Sequence, residues 1–269
     1  KKLLQSAVKQ YAVAQDIPVL QPKNLKAPSF VTELRSYQAD LQVVVAFRML
    51  PEVVWNMPRL GTFNLHGSLL PKYRGAAPIN WAVINGDTET GVSSFFLQHE
   101  IDTGDLLLQA KMPIGFHDTA GDVHDRMMEL GAEVVLKTVR GIEADNLRPI
   151  PQDHTKATKA PKLFADNTHI NFDQTSEQVH NFIRGLSPFP TAWARLNGAK
   201  WKLLSGTPQQ LTHELAPGTI VIQARESFKV ATADGFYSVK VLQMPGKRRM
   251  PVKDFLNGWR ETDEVMRFE

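Results

Sequence analysis

The sequence TFNLHGSLLPKYRG at residues 62–75 combines a strand pattern with a loop pattern. Its first residues alternate polar and apolar side chains, which is typical of a strand with one face in a core. Asn64 and His66 are two positions apart, so both side chains would point to one face of that strand. Gly67 and Pro71 indicate a tight loop directly after it. This stretch therefore predicts a strand that delivers two polar side chains to a loop at its carboxyl end.

Apolar strand patterns alternate with helix patterns on both sides of this stretch. Residues 41–47 are nearly all apolar and β-branched, which predicts a strand buried on both faces of a parallel sheet. A capping box at Thr119 predicts the start of a long helix that packs on the sheet. The other predicted elements are helices at 1–15, 28–37, 51–56 and 78–85, and strands at 17–20, 62–65, 91–97 and 105–114. The alternation indicates an α/β domain with a parallel-rich sheet over residues 1–147.

The pattern changes after residue 147. Residues 148–166 are rich in Pro, Lys and Thr, which predicts a linker running over the surface. A helix is predicted at 175–186, and turn pairs such as Asn197-Gly198 then separate short strands. The predicted strands are 192–196, 200–204, 218–223, 228–232 and 237–243. Residues 167–269 therefore predict a small, OB-like β-barrel.

Composition excludes several classes of protein. The 269 residues contain no Cys, which excludes disulfides, thiolate metal sites and a cysteine nucleophile, and which suits a reducing compartment such as the bacterial cytoplasm or an organellar matrix. No run approaches the length of apolar residues that a membrane span needs. Lys1 begins the chain inside an amphipathic pattern, with no initiator Met, signal sequence or cap before it, so we expect part of the first domain to lie upstream.

Positive charge is concentrated in the C-terminal part. Residues 1–147 carry 14 basic and 16 acidic side chains, whereas residues 148–269 carry 17 and 12. Lys247, Arg248 and Arg249 form the densest run, which we call the basic cluster. Such a cluster can neutralise the phosphates of a nucleic acid. A solvated basic loop without a partner is an equally simple interpretation.

A second polar cluster, Gln98 to Asp105, predicts a hairpin turn that could bring a carboxylate to His66. A carboxylate there would orient the imidazole and favour its charged form, while Asn64 offers an uncharged donor for a developing oxyanion. Asp102 is the candidate, because Asp105 fits ordinary turn chemistry better. His99 resembles a metal ligand only loosely and has no evident third partner, so no metal is predicted.

Taken together, the two clusters resemble folate-dependent formyltransferases. The resemblance is carried by Asn-x-His-x-Ser-Leu-Leu-Pro-x-Tyr-Arg-Gly at residues 64–75 and by Asp-Thr-Gly-Asp at residues 102–105. It extends over the whole chain, including Ser-Pro-Phe-Pro-Thr-Ala-Trp at residues 187–193. Among these enzymes, the resemblance is strongest to those that act on methionyl-tRNA. It implies a Rossmann-like formyltransferase domain followed by a barrel that clasps tRNA.

The resemblance also implies a reaction and a set of residues. The formyl group of 10-formyltetrahydrofolate would pass to the α-amine of methionine on charged initiator tRNA, with no metal, no membrane association and a monomeric enzyme. The implied catalytic residues are Asn64, His66 and Asp102. The implied folate-binding residues are Ser68, Leu69, Leu70, Pro71, Val45 and Phe47, and the implied tRNA contacts are Lys247, Arg248 and Arg249.

Other functions share part of this pattern. A formyltransferase acting on an amino-sugar nucleotide, or the hydrolase domain of a folate dehydrogenase, can carry a similar C-terminal appendage. An enzyme acting on glycinamide ribonucleotide would not need that appendage. A non-catalytic nucleic-acid-binding protein could keep the basic barrel beside a vestigial α/β domain, although Asn64, His66 and Asp102 are all intact.

Overall fold

The computed structural model describes residues 4–45, 49–223, 226–260 and 265–269. The chain divides into two compact units, residues 1–62 and residues 63–269. Within the described ranges, no helix is both long enough and apolar enough to cross a membrane.

Among its described residues, the first unit contains three short helices and one strand: α1 (Ala7–Ala14), α2 (Pro28–Ser36), β1 (Gln42–Val45) and α3 (Glu52–Trp55). The helix predicted at 1–15 is shorter, because Ser6 caps it by accepting a hydrogen bond from the Lys9 backbone N–H. The strand predicted at 17–20 is wrong, since those residues form no strand. Pro18 lies in that segment and has no N–H to give to a ladder.

Strand β1 is less buried than its apolar sequence predicts. Val43 is 42% exposed and Val45 is 54% exposed. The expectation of a strand buried on both faces is therefore wrong for these two residues, since about half of each side chain is exposed. Residues 46–48, which complete the predicted strand, lie outside the described ranges.

The second unit begins with an antiparallel sheet covered by helices. Its strands are β2 (Thr62–His66), β4 (Glu89–Phe96) and β5 (Leu106–Pro113), and its helices are α4 (Pro78–Ile84) and α5 (Ala120–Glu143). β4 pairs with both β2 and β5. The capping box predicted at Thr119 is present, and Val123, Met127 and Val134 of α5 are buried against this sheet.

The segment predicted to be a surface linker is tied to the rest of the unit. Strand β3 (Arg74–Gly75) pairs in parallel with β6 (Lys159–Ala160). Ile150 and Leu106 exchange backbone hydrogen bonds of 2.8 and 2.9 Å. Residues 150–160, which we call the strap, therefore lie against the loop that follows β2.

The C-terminal part is an antiparallel sheet with one helix packed on it. Helix α6 (Ser176–Gly185) precedes β7 (Ala192–Leu196), β8 (Ala199–Gln210), β9 (Ile220–Gln223), β10 (Ser227–Ala231), β11 (Gly235–Gln243), β12 (Met250–Pro251) and α7 (Val252–Asn257). The strand order is β7-β8-β11-β10-β9, with β12 beside β11. Ile183, Leu203 and Tyr237 lie in the core that this sheet encloses with α6. The prediction of an α/β domain followed by a β domain is confirmed. The described pairings of β4 with β2 and β5 are antiparallel, whereas the sequence predicts a parallel-rich sheet.

Candidate active site

Strand β2 places two polar side chains on one face. Asn64 lies opposite Phe95 of β4, and His66 lies opposite Ser93. Phe63, on the alternate face, is fully buried. Because successive side chains point to opposite faces of a strand, Asn64 and His66 point the same way, as their spacing predicted.

The imidazole of His66 is held between two oxygens. Its Nε2 is 2.8 Å from the carbonyl oxygen of Tyr73, and its Nδ1 is 3.7 Å from Oδ2 of Asp102. A carbonyl oxygen only accepts hydrogen bonds, so Nε2 carries a hydrogen. Nδ1 is therefore the nitrogen that can gain or release a proton while the ring stays in place. The distance between Nδ1 and Oδ2 is longer than a hydrogen bond, so Nδ1 is not committed to Asp102.

Asn64 differs from His66 in having an uncommitted side chain. It is half-buried, and within the described residues its carboxamide has no hydrogen-bond partner in the protein. The amide can therefore donate to an incoming oxygen without first breaking an internal hydrogen bond. Next to a ring whose Nε2 is already bound, this group is a ready donor for an oxyanion.

Asp102 lies in the turn between β4 and β5, with its side chain only 14% exposed. Its backbone is in the left-handed region, with φ of 56°, which Asp tolerates better than most residues. Its Oδ2 accepts a hydrogen bond of 2.8 Å from the backbone N–H of Gly75. Gly104 in the same turn leaves no room for a side chain, since a Cβ there would lie 1.7 Å from the Phe96 carbonyl oxygen. The turn thus aims one carboxylate at His66.

Gln152 of the strap reaches this turn, although no sequence pattern predicts it. Its Nε2 lies 3.0 Å from the carbonyl oxygen of Asp102 and 2.8 Å from that of Gly104. Its Oε1 accepts from Nη2 and Nε of Arg74, at 2.6 and 3.2 Å. Only contacts far apart in sequence identify this residue, and a single glutamine in a polar segment carries no such signal.

The loop after β2 turns two of its four predicted folate-binding side chains inward. Ser68 is fully buried and its hydroxyl donates to the Lys72 carbonyl oxygen, while Leu70 is 3% exposed. Leu69 and Pro71 are partly buried, so they are the side chains of this segment with a remaining accessible surface. Ser68 and Leu70 therefore shape the loop from inside.

Two residues from the neighbouring strands fix that loop. Ser93 Oγ donates to the Ser68 carbonyl oxygen at 2.6 Å and accepts from the Leu70 N–H at 3.0 Å. Gln109 Nε2 donates to the Leu70 carbonyl oxygen at 2.9 Å and to Ser93 Oγ at 2.8 Å. The loop conformation is thus set by hydrogen bonds from β4 and β5 that its own sequence does not reveal.

The remaining predicted folate-binding residues belong to the first unit. Val45 is the last residue of β1 and is exposed. Phe47 lies outside the described residues. The structure thus brings Asn64, His66, Asp102 and the loop at 68–71 into one unit, and it gives no such placement for these two.

Tyr73 joins the site to the core. Its backbone carbonyl holds His66, and its hydroxyl donates to Asp87 at 2.9 Å and accepts from Asn85 at 3.1 Å. Burial raises the pKa of Tyr73 to about 12; the hydrogen bond from Asn85 acts in the opposite direction, and Asp87 reinforces the rise. The hydroxyl therefore stays protonated and keeps Tyr73 in place over the ordinary pH range.

The basic cluster lies on the exposed connection between β11 and β12. Arg249 Nη2 donates to the Pro188 carbonyl oxygen at 2.9 Å, which fixes one of the three side chains to the protein. Among the described residues, no group of three or more His, Cys, Asp or Glu is arranged to hold a metal ion.

Two family models match the chain. The formyl transferase model matches residues 1–139, and the model for the formyl transferase C-terminal domain matches residues 162–260. A similar curated relative is the methionyl-tRNA formyltransferase of Bacteroides thetaiotaomicron, which is 51% identical over 97% of this chain and 84% of its own length.

Solved structures share the fold at lower identity. HypX from Aquifex aeolicus, solved with tetrahydrofolic acid, has a TM-score of 0.65 at 19% identity, covering 90% of this chain and 45% of its own. An N-formyltransferase from Helicobacter canadensis, solved with folinic acid and dTDP-3-aminofucose, has a TM-score of 0.65 at 20% identity, covering 92% and 85%. With two family models along its length and a relative at 51% identity, this chain belongs to the formyl transferase family.

Proposed function

We propose that this chain transfers the formyl group of 10-formyltetrahydrofolate to the α-amine of methionyl initiator tRNA. The observation that carries the proposal is the His66 imidazole, held by the Tyr73 carbonyl and facing the Asp102 carboxylate on the same side of β2 as Asn64. The relative from Bacteroides thetaiotaomicron, which is named for this reaction and matches both parts of the chain, supports the choice of acceptor.

The chemistry needs an oxyanion donor and a proton carrier. The neutral amine attacks the formyl carbon, so a new C–N bond forms and the carbonyl oxygen becomes an oxyanion. Collapse of this tetrahedral species breaks the bond to N10 of the folate, which takes up a proton as the attacking amine loses one. Neither a metal nor a covalent bond to the enzyme is needed to balance these steps.

Three side chains fit these needs. The carboxamide of Asn64 and a charged His66 would donate to the oxyanion, which is where preorganised donors contribute most to rate. Asp102 would favour the charged imidazole and accept the amine proton, directly or through a water. Because Nε2 of His66 is bound to Tyr73, Nδ1 is the nitrogen we assign to the reaction.

We assign the folate donor to the loop at 68–71. Leu69 and Pro71 have accessible side-chain surface for an apolar ring, whereas Ser68 and Leu70 hold the loop in shape. The unpartnered carboxamide of Asn64 at the edge of this loop is the kind of donor that a formyl oxygen requires. The assignment of Val45 and Phe47 to folate binding stays a prediction from the sequence.

The acceptor tRNA fits the charge of the C-terminal part. Residues 148–269 carry the net positive charge of the chain, and Lys247, Arg248 and Arg249 are exposed. We assign them phosphate contacts, which would orient the tRNA without reading its sequence. The domain division at residues 148–166, the monomeric state and the bacterial cytoplasm as location belong to the same proposal.

The test is formyl transfer to three acceptors under one set of conditions. The protein is incubated with 10-formyltetrahydrofolate and either methionyl initiator tRNA, an amino-sugar nucleotide or glycinamide ribonucleotide. We expect transfer to the methionyl-tRNA alone. Transfer to the amino-sugar nucleotide instead would preserve the catalytic assignment and overturn the assignment of the acceptor.

The same assay tests the catalytic residues. His66→Ala and Asp102→Ala should each lower kcat by about 100-fold or more, since each removes a group that acts on the moving charge or proton. Asp105→Ala is the matched control, because Asp105 lies in the same turn and its carboxylate makes no described contact with His66. Near-normal kcat in both His66→Ala and Asp102→Ala would overturn the catalytic assignment.

A further inference from the structure

We propose that Gln152 is a positioning residue for this reaction, which holds the Asp102 turn in register with His66. This inference rests on the proposed function for the role of Asp102. Gln152 is 5% exposed, although it lies in a polar segment between the two parts of the chain. A buried carboxamide needs partners for both its oxygen and its nitrogen, and Gln152 has them.

The amide nitrogen of Gln152 is used entirely on one turn. Its two hydrogens reach the carbonyl oxygens of Asp102 and Gly104, at 3.0 and 2.8 Å. Both carbonyls follow the Asp102 Cα, whose backbone has a φ of 56°. Gln152 therefore fixes the backbone directly after the residue that presents its carboxylate to His66.

The amide oxygen of Gln152 accepts hydrogen bonds from Arg74, which completes a hydrogen-bond network around Asp102. Arg74 donates to it from Nη2 at 2.6 Å and from Nε at 3.2 Å. The next residue, Gly75, donates its N–H to Asp102 Oδ2 at 2.8 Å. Gln152 thus binds the backbone carbonyl of Asp102, and the Gly75 N–H binds its carboxylate. Arg74 connects the two, because it donates to Gln152 and precedes Gly75 in the chain.

Gln152 is itself fixed by the strap. Ile150, two residues before it, exchanges two backbone hydrogen bonds with Leu106 at the start of β5. Further along, Thr158 Oγ1 accepts from the Tyr73 N–H at 2.8 Å, and its carbonyl accepts from the Arg74 N–H at 2.9 Å. The strap is therefore anchored at both ends, so Gln152 can impose a position on the turn.

Position matters at Asp102 because its carboxylate is already 3.7 Å from Nδ1 of His66. A displacement of about 1 Å in a catalytic group can lower a rate by about 100-fold. Without Gln152, the turn keeps its strand anchors but loses the two hydrogen bonds that hold its carbonyls. We therefore expect loss of Gln152 to act on the chemical step more than on substrate binding.

Two substitutions separate the two ends of the Gln152 amide. Gln152→Glu keeps the side-chain length and an acceptor for Arg74, but it removes both donors to the turn. Gln152→Met removes donors and acceptor together. The matched control is Asn167→Ala, because Asn167 is another carboxamide that bridges two backbone groups, the Phe164 N–H and the Lys162 carbonyl, outside the site.

We expect both Gln152 variants to lower kcat for formyl transfer by about 10- to 100-fold while KM for either substrate changes by less than about threefold. Asn167→Ala should leave both constants unchanged. In an Asp102→Ala background, Gln152→Glu should cause no further loss, because the group that it positions is gone. The proposal would be overturned if Gln152→Glu had the kcat of the wild type. It would also be overturned if Gln152→Glu lowered kcat in the Asp102→Ala background as much as it does alone.

A second measurement does not depend on activity. Hydrogen exchange at the Gly75 amide reports whether Asp102 Oδ2 is still in place, and it should become faster in Gln152→Glu but not in Asn167→Ala. Unchanged exchange at Gly75 would overturn the proposal. If the wild-type protein formylates no methionyl-tRNA, the proposed function fails, and the Gly75 amide still distinguishes a positioned turn from one that does not need Gln152.

Discussion

The turn from β4 to β5 and the connection from β11 to β12 both carry charged residues, but the structure holds these residues in opposite ways. The turn from β4 to β5 presents Asp102, whose side chain is 14% exposed and whose backbone and carboxylate are bound by Gln152 and Gly75. The connection from β11 to β12 presents the basic cluster, whose side chains are exposed. The β4–β5 turn thus fixes one charged side chain, whereas the β11–β12 connection exposes three to the solvent.

The difference fits the roles that we propose for the two kinds of charge. A carboxylate that exchanges a proton or supports an imidazolium acts over one hydrogen-bond length, so its position must be set before the substrate arrives. Cations that neutralise phosphates act through a smoother, salt-screened attraction and tolerate side-chain motion. The buried and hydrogen-bonded carboxylate of the β4–β5 turn supports a role in chemistry. The exposed cations of the β11–β12 connection support a role in docking.

The largest effect is expected from disrupting the residues that hold Asp102. Gly75 has φ of 125°, and a Cβ on it would lie 2.5 Å from the Ala160 carbonyl oxygen. Gly75→Ala should therefore separate β3 from β6, displace the N–H that holds Asp102, and lower the free energy of unfolding by about 3 kcal/mol. Urea unfolding monitored by circular dichroism measures the loss.

The control for Gly75→Ala comes from the exposed connection. Gly246 also has a positive φ, 68°, but a Cβ there meets nothing within 4 Å. Gly246→Ala should cost only about 1 kcal/mol, which is the conformational cost alone. Equal losses for the two variants would mean that the strap contributes nothing to the stability of the site.

A smaller effect is expected from neutralising the basic cluster. Replacing Lys247, Arg248 and Arg249 by Gln should weaken tRNA binding and reduce the slope of log Kd against log salt by about 2, since each lost phosphate contact removes about 0.7–0.9. Arg249→Gln alone should change the slope least, because its guanidinium is bound to Pro188. Filter binding at several salt concentrations measures the slope.

The comparison variant for that measurement is Lys137→Gln. Lys137 is an exposed lysine on α5, and it lies 3.6 Å from Glu133. Its replacement changes the net charge without touching the basic cluster. An unchanged salt slope in the triple variant, or an equal change in Lys137→Gln, would remove the cluster from the interface.

The smallest effect concerns pH and Tyr73. The pKa of Tyr73 is raised to about 12, mainly by burial, above the value of 10.0 that the side chain has when exposed. Its protonated form is therefore favoured by folding, so this stabilisation is complete below pH 10 and is lost as the pH rises towards 12. Tyr73→Phe should be less stable than wild type at pH 8 by about 1 kcal/mol, with a smaller difference at pH 11.

Urea unfolding of both proteins at the two pH values tests this prediction. Tyr237 is also buried, and burial raises its pKa as well, but it is present in both proteins and cancels in the comparison. A difference between wild type and Tyr73→Phe that stays constant from pH 8 to 11 would contradict the assigned cause.

The sequence predicts those parts of the molecule that depend on local pattern. The alternation of polar and apolar residues correctly predicted that Asn64 and His66 share one strand face. The capping box at Thr119 correctly predicted where α5 begins. Turn residues 102–105 correctly joined β4 to β5. In each case the interactions that determine the structure join residues close in sequence, so the local sequence pattern predicts the structure.

The sequence fails where the cause is a distant contact. Gln152 lies 50 residues from Asp102, and its hydrogen bond to that carbonyl leaves no local mark. The strand predicted at 17–20 requires a partner strand, and none of the described residues pairs with this segment in a sheet. The inward orientation of Ser68 likewise depends on the shape that Ser93 and Gln109 impose on its loop.

The most direct test of the contrast measures two constants in two variants. Asp102→Ala and the triple Gln variant of the basic cluster are compared for kcat at saturating methionyl-tRNA and for the Kd of tRNA. We predict that Asp102→Ala lowers kcat by about 100-fold and leaves Kd within about twofold, whereas the triple variant raises Kd by about tenfold and leaves kcat nearly unchanged. Loss of the same constant in both variants would contradict the separation of a fixed chemical charge from an exposed docking charge.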